Sequence, residues 1–194
     1  MKVIAINGSA RENGNTKILI GKVLEELEKE KIETEQISLA KTNLLPCKAC
    51  FTCSGKGKCT FGDQDVFNSI FEKLKEADGI ILASPSYSAN VSSNMQAFLE
   101  RASVVCDSNT DLLTHKVGVS IATERRAGAL NTIDTMNHFF LNHEVFIAGA
   151  TYWNIGIGKL PGEVQNDTEA LTTMENLGKN MAFLLKKLKG ENHE

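Results

Sequence analysis

Val3-Ile4-Ala5-Ile6-Asn7-Gly8-Ser9-Ala10-Arg11-Glu12-Asn13-Gly14-Asn15-Thr16 passes from an apolar run, through a polar turn with two glycines, into the start of a helical pattern. Four apolar residues without alternation suit a strand covered on both faces, as in a parallel sheet. Residues 16–31 follow with Ile20, Val23, Leu24 and Leu27 at helical spacing. Strand, polar turn and helix in that order make the first half of a βαβ unit.

The alternation continues along the chain. Residues 34–39 read as a second, weaker strand, and 65–77 as a helix through Val66, Phe67, Ile70, Phe71 and Leu74. Strands are expected at 79–83, 117–122 and 145–150, with helices at 93–105 and 128–142. Leu171, Met174, Leu177, Met181, Leu185 and Leu188 mark a long last helix. Five strands alternating with helices predict an α/β fold: a doubly wound, five-stranded parallel sheet in flavodoxin-like order 2-1-3-4-5. The 194 residues fit one domain, 1–194, with a cysteine-rich loop at 41–62 inside it. Residues 152–165 hold three glycines and a proline without periodicity and read as an extended loop able to cover a site.

In this architecture ligands sit beyond the carboxyl ends of the strands, at the switch point. Three polar loops fall there. After the first strand, Ser9 and Thr16 supply hydroxyls, Asn15 an amide and Arg11 a forked cation, at the start of a helix that favours an anion. The glycine spacing matches neither G-x-G-x-x-G nor a P-loop, so a single phosphate monoester, as on FMN, fits better. The same stretch also reads as an ordinary capped strand–helix turn. After the third strand, Ser84-Pro85-Ser86-Tyr87-Ser88-Ala89-Asn90 offers backbone amides for a flavin edge and an aromatic ring to shield it. After the fourth, Thr123-Glu124-Arg125-Arg126-Ala127-Gly128 offers further amides and a flexible glycine, while Arg125 and Arg126 also read as solvated charges.

Four of the five cysteines, Cys47, Cys50, Cys53 and Cys59, form a C-x2-C-x2-C-x5-C run. A disulfide framework would spread its cysteines over long loops; this crowding points to metal or redox chemistry. Four thiolates at this spacing can ligate the corners of a [4Fe–4S] cube, with Lys48, Lys56 and Lys58 offsetting its charge. An all-cysteine zinc site is the other reading, although zinc knuckles are usually two separated pairs. Cys106 reads as a small buried hydrophobe. His115, His138, His143 and His193 show no metal-ligand spacing.

Composition narrows the classes. With 42% hydrophobic and 23% charged residues and a net charge of −3, the chain suits a soluble globular protein and lacks the basic excess of a nucleic-acid binder. No run reaches the ~20 apolar residues of a membrane helix. The first residues lack a secretory leader pattern, so the expected compartment is cytoplasmic.

Gly8-Ser9-Ala10-Arg11, Gly14-Asn15-Thr16, the cysteine run, Ser84-Pro85-Ser86-Tyr87, the stretch from Thr123 to Gly128 and Gly149-Ala150-Thr151-Tyr152-Trp153 together resemble the iron–sulfur flavoproteins of anaerobic archaea and bacteria, within the wider NADPH-dependent FMN reductase family. The resemblance implies a flavodoxin-like fold, FMN, one [4Fe–4S] cluster and a homo-oligomer, a dimer or a tetramer built from dimers. It implies a ferredoxin-like electron donor, with dioxygen or hydrogen peroxide as acceptors. Carried over by position, Ser9, Arg11, Asn15 and Thr16 hold the phosphate. Pro85, Tyr87, Ala89 and Asn90 border the flavin, with Thr123 and Gly128 opposite. A cluster-free NAD(P)H-dependent FMN or quinone reductase uses the same phosphate loop. A zinc-stapled binding module explains the cysteines alone.

Overall fold

The computed structural model describes residues 1–190; His193 lies outside them. Strand β1 (Lys2–Asn7) leads to helix α1 (Asn15–Lys29) and strand β2 (Glu33–Ser38). Residues 39–61 then run without helix or strand to α2 (Phe67–Glu76), preceded by a short 3-10 turn at Gly62–Gln64. β3 (Gly79–Pro85), α3 (Ser93–Asp107), β4 (Val117–Glu124), α4 (Ala129–Asn142), β5 (Phe146–Ile147), β6 (Ile155–Ile157) and α5 (Thr168–Leu188) complete the order.

The sheet is parallel, in the order β2-β1-β3-β4-β5, with β6 pairing β4. This is the expected flavodoxin-like winding with one more strand than expected. Residue β-periodicity divides the core between the faces. Ile4, Ile6, Ile80 and Leu82 meet Phe67, Phe71, Phe98 and Phe140 from α2, α3 and α4. Val3, Ala5, Ile81, Val119 and Ile121 meet α1 and α5 through Leu19, Val23, Met174 and Met181. α1 and α5 approach closely at Gly178, where a Cβ would stand 2.7 Å from the Cβ of Glu26. β2 is polar (ETEQIS) because it is an edge strand, only half covered.

The last edge departs from expectation. The strand expected at 145–150 is only two residues long. Ala148 N–H still donates to Gly118 O at 3.0 Å, after which the chain turns outward at Gly149. Asn154 then returns, its carbonyl accepting from Ala122 N–H at 2.9 Å and its side-chain amide donating to Ser120 O at 3.0 Å. β6 thereby pairs the part of β4 that β5 leaves bare, along Ala122, Thr123 and Glu124. The expected loop at 152–165 therefore contains a strand and a 3-10 turn (Glu163–Asn166). Register aligns the strand ends, with Asn7 beside Ala83 and Pro85 beside Thr123.

Candidate functional site: a strand-end cleft and a four-cysteine cavity

The β1–α1 turn is tied down from within. Ser9 N–H donates to Asn7 Oδ1 at 3.0 Å, and Arg11 N–H to Ser9 Oγ at 3.1 Å. Ser9 is buried and keeps its hydroxyl proton for another acceptor. The Thr16 and Thr123 hydroxyls lie 2.9 Å apart, joining this turn to the end of β4. One of them donates, so the other retains a free proton. Arg11 reaches from the exposed rim, with Nη1 donating to Lys159 O at 3.1 Å.

These groups share one cleft. Ser9, Arg11, Asn15 and Thr16 line it from the first loop, Pro85, Ser86 and Tyr87 from the β3 end, and Thr123 and Arg125 from the β4 end. Gly158 and Lys159 close a further side, which the sequence signalled only as a possible cover. Ser88, Ala89 and Asn90 form a tight turn beside it rather than a wall. Tyr87 and Asn90 exchange backbone hydrogen bonds at 2.9 and 3.1 Å, with Ser88 (φ 51°) and Ala89 (φ 56°) both left-handed. Two non-glycine residues in that region cost about 1–3 kcal/mol each and persist only where the surroundings hold them. Gly128 supplies that support. Its φ is 103°, and a Cβ there would stand 3.0 Å from both Ala89 Cα and Ser86 Oγ. Asn15 Oδ1 accepts from Gly162 N–H at 2.8 Å, so its carbonyl oxygen also fastens the covering segment.

The donor set fits FMN. Hydroxyls and two arginines surround an anion-sized space at a helix start, and Tyr87 offers a ring face. The buried Ser86 Oγ has no hydrogen-bond partner. Such a group costs about 1–3 kcal/mol, which an acceptor or donor on a ligand relieves.

The cysteines lie elsewhere, against α3. All four line one cavity, with Phe51, Phe61, Val104 and Arg101 among its walls. The segment is pinned along its later half, from Cys53 to Cys59. Asn68 of α2 accepts from Cys59 N–H at 3.1 Å and donates to Cys59 O at 2.9 Å. Asn109 accepts from Gly57 N–H and donates to Cys53 O, at 3.0 and 3.1 Å. Lys48 Nζ stands 4.3 Å over the Phe61 ring. Cys50 is exposed, and hydrogen bonds from Thr52, its hydroxyl first, hold the Cys50 thiol below the usual range. Among the described residues no three His, Cys, Asp or Glu side chains are gathered as a bound metal ion requires. The four thiols on this one cavity, with a cation and apolar walls, are of the ligand type that iron–sulfur clusters take. Arg101, unforeseen in sequence, donates from Nη2 to Cys59 Sγ at 3.2 Å and is 3% exposed. Its only sequence signal was a charge within an apolar helical stripe.

Comparison with known proteins agrees with this geometry. The fold matches a flavodoxin from the domain Archaea (TM-score 0.62, 17% identity, covering 96% of this chain and 99% of that one). It also matches a WrbA-like flavodoxin from Agrobacterium tumefaciens (TM-score 0.65, 16% identity, 96% and 97%). The profile described as NADPH-dependent FMN reductase matches residues 1–159. An iron–sulfur flavoprotein of Methanocaldococcus jannaschii is 41% identical over 97% of this chain and all of its own length, and one of Methanosarcina thermophila is 30% identical over 95% of each. The cleft at the strand ends thus belongs to an FMN-dependent oxidoreductase of flavodoxin-like fold. Within that class, the chain belongs to the iron–sulfur flavoproteins of the NADPH-dependent FMN reductase family. No helix among the described residues is long and apolar enough to cross a membrane.

Proposed function

We propose that this protein carries electrons from a ferredoxin-like donor to a small acceptor such as dioxygen or hydrogen peroxide, using FMN in the strand-end cleft and a [4Fe–4S] cluster on Cys47, Cys50, Cys53 and Cys59. When bound, the cluster supplies one-electron transfer, and FMN couples one-electron to two-electron chemistry. Ser9, Arg11, Thr16 and the side-chain N–H2 of Asn15 hold the phosphate. Ser86 and Tyr87 border the ring, Thr123 positions Thr16, and Gly128 supports the Ser88–Ala89 turn. The working unit is a cytoplasmic homo-oligomer, a dimer or tetramer, which sedimentation of the purified protein tests.

The observation that carries the reading is that one helix, α3, borders both sites. At its start the Ser92 hydroxyl donates to Gly8 O at 2.6 Å, on the phosphate turn. Three turns on, Arg101 and Val104 line the cysteine cavity. The two sites therefore share a rigid support, as coupled redox centres need.

Anaerobic purification with iron, sulfide and FMN analysis tests this. About four irons and four sulfides per chain, as one cube requires, are expected. Cys50→Ala should lose them and keep FMN. Equal iron and sulfide in that variant would sink the cluster assignment.

A second reading is direct reduction by NADPH without a cluster, which the family description favours. Rapid anaerobic flavin bleaching by NADPH alone supports it; bleaching only through reduced ferredoxin supports the first.

A further inference from the structure

Arg101 is a buried cation placed on a cysteine. Its Nη1 donates to the Asp65 carboxylate and to Leu45 O, the latter at 3.1 Å, while Nη2 is left to Cys59 Sγ. Its guanidinium carbon stands 4.3 Å from the centre of the Phe67 ring, which stacks on Phe71. Asp65 is itself fixed, accepting from Leu45 N–H and Phe67 N–H, both at 3.0 Å. A buried ion pair is a poor route to stability, because desolvation offsets much of the attraction and apolar packing serves as well. What the pair provides here is direction: it locks the fork so that one N–H faces the sulfur.

We propose that Arg101 is a positioning residue for Cys59 that raises the reduction potential of the cluster, with Asp65 as the opposing charge. This deepens the cluster reading above and rests on it. One electron added to a thiolate-bound cluster adds one negative charge and moves no proton. Hydrogen bonds to the sulfurs and local charge are what set such potentials. An N–H on Cys59 Sγ favours the reduced state, whereas the Asp65 carboxylate opposes it. The two residues therefore act with opposite signs, which simple structural stapling does not predict.

The test is a redox titration of the anaerobically purified full-length protein, following the cluster by electron paramagnetic resonance, with iron, sulfide and FMN contents measured alongside. Asp65→Asn keeps an oxygen acceptor and removes the charge, so the cluster midpoint should move positive. Arg101→Lys keeps the charge but cannot span Asp65 and Cys59 together, so the midpoint should move negative. FMN content should be unchanged in both. Midpoints that stay at the wild-type value, or that move in the same direction, overturn the proposal. If Arg101→Lys loses its iron, Asp65→Asn decides alone: a midpoint at or below wild type overturns it. A wild-type protein without iron and sulfide after reconstitution removes the cluster reading itself, and this inference with it, a result distinct from unshifted midpoints.

Discussion

The Thr16 and Thr123 hydroxyls meet at 2.9 Å across 107 residues of chain, closing the floor of the strand-end cleft. Both residues are buried, so neither oxygen can turn to water instead. Thr123→Val keeps the shape and leaves the Thr16 hydroxyl unpaired. A loss of about 1–3 kcal/mol in urea unfolding is expected. FMN affinity of the apoprotein, read by flavin fluorescence quenching, should fall with it.

Arg11 is exposed, and its guanidinium donates to Lys159 O. Its removal should leave stability within about 0.5 kcal/mol of wild type. A charge-assisted contact to phosphate is worth about 1.5–3 kcal/mol. Arg11→Gln should therefore weaken FMN binding by about tenfold or more, while riboflavin, which lacks the phosphate, binds as before. Equal weakening of both ligands would remove Arg11 from the phosphate site.

Gly62 is buried, and a Cβ there would fall 2.2 Å from Asn68 Oδ1. Gly62→Ala must displace the amide that pins Cys59 at both its N–H and its carbonyl. Iron and sulfide content should drop, with FMN content kept, because the strand-end cleft shares no residue with this contact. Full iron content in the variant would show that Asn68 is dispensable for holding Cys59.

Burial pushes the Cys106 thiol from 9.0 up to about 12. The folded protein thus keeps a proton that the unfolded chain releases earlier. The contribution to stability is whole below pH 9.0 and is lost as pH rises towards about 12. Melting temperature should fall more steeply over that window in wild type than in Cys106→Ala. In the cluster-free protein, iodoacetamide at neutral pH should spare the buried Cys106 and label the exposed Cys50.

Much of this was legible along the chain. The winding order followed from strand–helix alternation, because apolar runs and helical stripes are written by residues within a few positions of one another. Nine of the thirteen residues expected around the flavin line one cleft, because the fold itself brings the strand ends together. Asn15 was read for the phosphate from its place in the turn; that its carbonyl oxygen also serves Gly162, 147 residues away, was not legible there. Residues 152–165 were read as loop because three strand residues, Ile155-Gly156-Ile157, are too few to show a period.

The sequence by itself determined the parallel sheet, the polar strand-end loops and the crowding of four thiols, since each is a matter of local spacing. Only the tertiary structure decided that Arg101 and Asp65, 42 and 6 positions from Cys59, converge on it as a locked fork. It also decided that α3 spans both sites, and that β6 returns to finish the edge of β4. Those relations come from packing amphipathic elements into one core. Burial then leaves each polar group only the partners that the fold brings near, whatever their distance along the chain.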